Sequence, residues 1–171
     1  HIVFGVEVLA VVIIGAIGSG TMTLTSEATG KRDLAQYKGT TLCAFGLCVI
    51  VTVLMILGAV LFPEQILSLF TSDKAIIASS GIYLLMIGFN LFSKSGNIIV
   101  GNAIRGSGNT KWMLYTQIFG TIWIVSVAAV FVFVCKLGIL GVFLAVMADE
   151  GVRALINLWK YLCIVKEWKS A

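Results

Sequence analysis

The sequence predicts an all-α integral membrane protein with five membrane-spanning helices. Three observations predict it. The chain of 171 residues is 59% hydrophobic and only 12% charged, with a mean hydropathy of +1.04. A soluble domain carries about 25% charged residues and keeps a polar face for water. Second, the apolar residues fall in five runs long enough to cross a hydrocarbon core of about 30 Å, which takes about 20 helical residues. Third, lysine and arginine concentrate in alternate loops between those runs.

The runs are roughly 2–25, 40–62, 77–103, 112–135 and 138–163. Glu7 and the polar stretch SGTMTLTSE interrupt the first. The second, TTLCAFGLCVIVTVLMILGAVLF, stops at Pro63, the only proline, which lacks the N–H a continuing helix needs. Before the third run, PEQILSLFTSDKAI reads as a short interfacial helix with Ile66, Leu67, Leu69 and Phe70 on its apolar face. Thr71, Ser72 and Asp73 then offer caps for the third span.

The first loop holds Lys31, Arg32 and Lys38, the third Arg105 and Lys111, and the C-terminal end Lys160, Lys166 and Lys169. The second and fourth loops hold only Lys74 and Lys136. Basic loops stay cytoplasmic, so the N-terminus is expected outside and the C-terminus inside a plasma membrane.

The net charge of +4 is thereby a topology signal and not a nucleic-acid surface. Cys43, Cys48, Cys135 and Cys163 show no C-x-x-C spacing, and His1 is the only histidine. They read as small hydrophobes within helices, with neither a metal site nor a disulfide framework. No cofactor motif or nucleophile–base pair is visible, so no enzyme is expected. The chain opens on His1 with no methionine or basic leader, so a piece of a longer or processed protein is expected.

Polar side chains inside a bilayer must face protein or a wet cavity, because lipid offers them no hydrogen bonds. The third span concentrates them. Asn90, Lys94 and Asn97 fall at i, i+4 and i+7 on one helical stripe, with Ser93 beside them. Lys94 lies about 12 residues inside the apolar core, near the midplane at about 1.5 Å per residue. A lysine there costs at least about 2.5–3.5 kcal/mol, which marks a candidate solute or ion pathway. Asp149 and Glu150 lie at a similar counted depth, whereas Glu7 is about 10 Å shallower, so counting favours the fifth span as the source of its partner.

Asp149 and Arg153 are spaced i, i+4 and form a candidate structural ion pair. Thr116 and Gln117 are candidates for interhelical hydrogen bonds, Gln117 also for the pathway. Trp112 and Trp123, with Phe92, Phe119 and Tyr115, would suit stacking on a flat organic cation. Trp112, Trp159 and Trp168 read as interfacial anchors.

The stretch GNAIRGSGNTKW joins the third and fourth spans through Arg105, Gly106, Gly108 and Asn109. It is no phosphate cradle, since G-x-x-x-x-G-K-[ST] is absent. It reads as a tight cytoplasmic turn with Arg105 anchored at the anionic leaflet.

That stretch resembles the R-G-x-G-[DN]-T junction between helices ten and eleven of multidrug and toxic compound extrusion (MATE) transporters. HIVFGVEVL is similar to the start of their helix eight, and TLTSEATGKRDLAQYKG to the segment after that helix. LFTSD resembles their entry to helix ten, and ADEGVRALINLWKY their helix twelve. The resemblance implies that residues 1–171 are a partial C-terminal transmembrane lobe: five helices forming most of one six-helix lobe of a two-lobe transporter. Helix seven and the N-terminal lobe would be its missing partners.

It further implies secondary active multidrug efflux, in which sodium or protons enter as organic cations or other small amphiphiles leave by alternating access. Five helices alone are not expected to transport. The family architecture puts helix eight beside helix ten at the cavity, which favours Glu7 as the partner of Lys94. There are departures. Asn109 replaces the more usual aspartate, and Glu27 stands where many members have glutamine. Lys94 falls where some members place a carboxylate that binds the coupling ion. Lysine cannot ligate sodium, so coupling would pass to a proton at Lys94 or Glu7, or to the missing half. Two alternatives remain open: a lipid-linked sugar flippase of related architecture, or a non-transporting membrane subunit or remnant.

Overall fold

A computed structural model describes residues 2–69 and 74–170, with side chains from Glu7 to Leu69 and from Ile82 to Lys169. Phe70 and the expected caps Thr71, Ser72 and Asp73 lie outside the described residues. Among the described residues every element is helical: α1 (Ile2–Lys31), α2 (Leu34–Leu61), α3 (Pro63–Ser68), α4 (Lys74–Gly106), α5 (Thr110–Ala129) and α6 (Gly138–Ser170). A π-helical turn over Val130–Val134 extends α5.

The polar stretch expected to interrupt the first span does not break α1. Thr21, Thr25 and Thr29 each donate to the carbonyl four residues back, at 2.8, 2.7 and 2.7 Å. Ser19 and Ser26 do the same. The hydroxyls are satisfied within the helix, so it continues to Lys31. There Arg32 turns left-handed at φ 54°, and the Asp33 side chain accepts from Gln36 N at 2.9 Å to cap α2. Pro63 does end α2, and it opens α3 as its first residue.

Among the described residues, four helical segments are long and apolar enough to cross a membrane: Glu7–Lys31, Leu34–Leu61, Ile82–Gly106 and Thr110–Val134. The expected fifth, α6, has the length at 33 residues but carries too many charged side chains to be counted with them. Asp149, Glu150 and Arg153 dilute it, and all three turn inward onto the other helices.

α4 is the hub, packed against α1, α2 and α6, while α5 leans mainly on α6. One core holds Ala10, Ile14, Cys48, Leu91 and Ile99, so Cys48 does act as a small hydrophobe. A second gathers Tyr37, Ala103, Ile104, Tyr161 and Ile164 near the Arg105 turn. Tyr37 is fully buried there because its hydroxyl donates to Ala103 O at 3.0 Å and its ring stacks on Tyr161 at 5.6 Å.

Candidate functional site

α1, α4, α5 and α6 enclose a cleft of about 390 Å³, lined by Lys94 and Asn97 of α4, Gln117 of α5, and Glu150, Arg153 and Asn157 of α6 among others. Lys94 Nζ donates to Glu7 Oε1 at 2.7 Å and lies 4.0 Å from Glu150 Oε1. The shallow partner is thus the direct one. Counting residues measures distance along each helix axis, not along the membrane normal, so it overstated the offset between α1 and α4.

Arg153 Nη2 donates to Asp149 Oδ2, and also to Glu150 Oε1 at 3.3 Å. Its Nη1 donates to Gln117 Oε1 at 3.3 Å. The Asp149–Arg153 pair is not the surface pair its spacing suggests: the side chains are 2% and 14% exposed. Gly120 makes room for it, since a Cβ there would lie 2.6 Å from Arg153 Cδ and 3.1 Å from Asp149 Oδ1.

A file of amides joins this cluster to α5. Trp112 Nε1 donates to Asn157 Oδ1 at 3.2 Å, and Asn157 Nδ2 donates to Asn97 Oδ1 at 2.6 Å. Asn97 Nδ2 donates to Glu150 Oε2 at 2.9 Å. The indole N–H is a donor only, so it fixes the orientation of both amides and presents a donor to Glu150. Sequence reasoning missed Asn157, although an asparagine within the apolar run ALINLW carries the same signal as Asn90 and Asn97. Trp112, expected as an interfacial anchor, also binds inward, with its ring 6.0 Å from that of Trp159 and Lys160 Nζ 5.6 Å from its centroid.

The stripe on α4 divides. Lys94 and Asn97 reach the cleft, whereas Asn90 is buried outside its lining with Oδ1 unpartnered, and Ser93 faces an apolar groove between α2 and α6. Phe92 lines that groove, and Tyr115, Phe119 and Trp123 are exposed on α5, so none of these rings lines the cleft. Thr116 lines it but donates to Met113 O, within its own helix.

The Arg105–Asn109 turn is a helix stop. Gly108 is left-handed at φ 85°, Gly108 N donates to Arg105 O at 2.9 Å, and Asn109 N to Ile104 O at 3.2 Å. Gly106 lets α4 cross α1, because a Cβ there would sit 2.9 Å from Met22 O and against Thr25. The Asn109 side chain donates to Ser107 Oγ and does not cap α5. Arg105 is exposed at the cleft rim and reaches Asn102 Oδ1 at 3.4 Å. Glu27 pairs with Lys31 on the exposed side of α1.

Residues 1–131 match the MatE family. An uncharacterized transporter, YisQ, of Bacillus subtilis strain 168 is 26% identical over 161 residues, which is 91% of this chain and 33% of the relative. A probable multidrug resistance protein NorM of Thermotoga maritima is 35% identical over 105 residues, 60% of this chain and 22% of that protein. The crystal structure of a MATE protein in the bent conformation superposes with a TM-score of 0.88 at 21% identity, over 99% of this chain and 37% of its own. A MOP superfamily transporter from Pyrococcus furiosus, described as having a binding pocket of reverse polarity, superposes at 0.83 and 21% identity, over 98% of this chain and 39% of its own. The chain spans a third or less of the length of these curated relatives.

Proposed function

The chain belongs to the MatE family, and from that premise we propose that it is most of the C-terminal lobe of a secondary active efflux transporter. Sodium or protons enter through the whole protein while organic cations or other amphiphiles leave, the two lobes alternating access around a central site. Helix seven and the N-terminal lobe complete the transporter. The N-terminus of this piece lies outside and its C-terminus in the cytoplasm, in keeping with the basic loops.

The observation that carries this reading is the cleft beside Lys94. Five charged side chains from three helices meet at or beside it, in a protein whose surroundings penalise each of them. Such a cluster changes its internal pairing when an ion or a charged solute enters, which is what a coupled carrier needs. Full-length protein in proteoliposomes is expected to expel a cationic dye under a sodium or proton gradient. Lys94→Ala should slow that efflux at least about tenfold, the equivalent of about 1.4 kcal/mol. Efflux at the normal rate and pH dependence would remove Lys94 from the mechanism. A native mass of only 18.3 kDa in the membrane would end the transporter reading in favour of a subunit or remnant.

A second reading, a flippase for lipid-linked sugars, draws on the three cationic residues lining the cleft: Lys94, Arg105 and Arg153. Two of them are already paired with carboxylates, which leaves Arg105 for a phosphate. The same vesicles separate the readings: translocation of a pyrophosphate-linked lipid without dye efflux selects the flippase.

A further inference from the structure

The charged cluster does not balance. Within the directly ion-paired group, Glu7, Asp149 and Glu150 are three carboxylates and Lys94 and Arg153 two cations, one negative charge over; Arg105 stands apart at the exposed rim, bonded to Asn102 and to none of the three. We infer that Asp149 is a proton-binding site, holding the proton that neutralises the cluster on its Oδ1. The assignment rests on the ion pair that holds Glu7 and on the partners of the Glu150 and Asp149 oxygens.

Glu7 Oε1 accepts from the Lys94 ammonium. Glu150 is held as an acceptor on both oxygens: Oε1 faces Arg153 Nη2 and Lys94, and Oε2 takes the Asn97 amide. The donor-only indole of Trp112 fixes that amide's orientation, so a proton on Glu150 Oε2 would point at another donor. Asp149 Oδ2 accepts from Arg153, but Asp149 Oδ1 is buried with no partner, on a residue only 1% exposed. A charged carboxylate oxygen bare in that position is costly, and a proton lowers the cost by removing the charge.

Among the described residues, the charged groups facing Asp149 are Arg153 and Glu150 of its own helix and Lys94 of α4, with Glu7 of α1 behind Lys94. α5 presents Gln117 and Gly120 to the pair. A sodium ion on Oδ1 would sit beside the Arg153 guanidinium with too few free oxygens to complete its shell, whereas a proton needs one. With the proton bound the cluster is neutral. When it leaves, Asp149 and Glu150 compete for one guanidinium, and α6 gains a reason to move against α5. The role of this proton in coupling rests on the antiporter reading; the site itself does not.

Infrared difference spectra of the full-length protein in lipid, taken on stepping the pH, test the site without requiring transport. The wild-type spectrum should contain one titrating carboxylic-acid C=O band that Asp149→Asn abolishes, and that band should shift with carboxyl-13C aspartate and not with carboxyl-13C glutamate. Labelling keeps the native fold, so the assignment to residue type survives even if a variant does not fold. Asp149→Asn should remove the band and one titrating proton per chain, while Asp149→Glu restores it at a glutamate frequency. Identical band sets in wild type and Asp149→Asn, a lost band that moves with labelled glutamate, or no protonated carboxyl at all would each overturn the assignment. If the band behaves as expected and no gradient drives efflux, the transport reading falls and the proton site stands.

Discussion

α4 and α5 are neighbours in sequence, each contributing a span of 25 residues, and they are used in opposite ways. The α4 span is the least apolar of the four and half of it is buried; the α5 span is more apolar and 6% of it is buried. In a water-soluble protein the order would reverse. In lipid, burial shelters polar groups, so the helix that looks weakest as a membrane span becomes the hub. α5 shows Ile118, Ile122 and Val125 outward and meets the bundle through Met113, Thr116 and Gly120. What makes α4 central is Lys94, Asn97 and the small residues that let α1 and α5 approach it.

The largest way to break this contrast is to unpair the α1–α4 charges. Removing one member of a buried pair strands the other, a loss of about 3–5 kcal/mol, whereas replacing both with isosteres is often nearly neutral. Glu7→Gln and Lys94→Met are each expected to destabilise the full-length protein on that scale, read from denaturant titrations in mixed micelles. The double variant should recover most of the loss. Single variants that cost under about 1 kcal/mol would place the pair with weakly coupled surface bridges. A smaller effect is expected where the amide file ties α5 to α4. Asn157→Leu leaves Trp112 Nε1 and Asn97 Oδ1 unsatisfied, for about 1–3 kcal/mol. Combined with Asn97→Leu it should cost less than the sum, because the two amides are one network. Strict additivity would dissolve the network into separate contacts.

How much of this was legible depended on the kind of signal. Hydropathy picked out the four long apolar helices, because it is a property local to the chain. The polar stretch of α1 misled for a definable reason: whether a threonine breaks or suits a helix depends on the carbonyl four residues back, which composition does not state. Lys94 was recognisable as a residue needing a partner, but counting could not choose Glu7 over Glu150, since the choice turns on stagger between helices. The inward position of Trp112 and the role of Asn157 depend on each other and on the rotation of α6. Asn157 could be flagged as an intramembrane amide from the sequence, but its partners are not visible until the helices are placed. The charge excess appears only when the fold brings Glu7, Lys94 and α6 together, and the unpartnered oxygen then points to Asp149.

The smallest expected effect is also the one that tests the outward face of α5. Ile122 is 64% exposed on a helix that touches its neighbours elsewhere. Ile→Ala in a protein core costs about 2–5 kcal/mol. Against lipid the same truncation exchanges one apolar surface for another, because acyl chains solvate isoleucine as well as protein does and no hydrophobic drive holds the contact. Ile122→Ala is therefore expected to shift stability by no more than about 0.5 kcal/mol, as for other side chains without packing partners. A loss above about 1 kcal/mol would mean that protein, not lipid, covers this face, and α5 would then be an interface with another helix of the full-length chain or with a second copy of it.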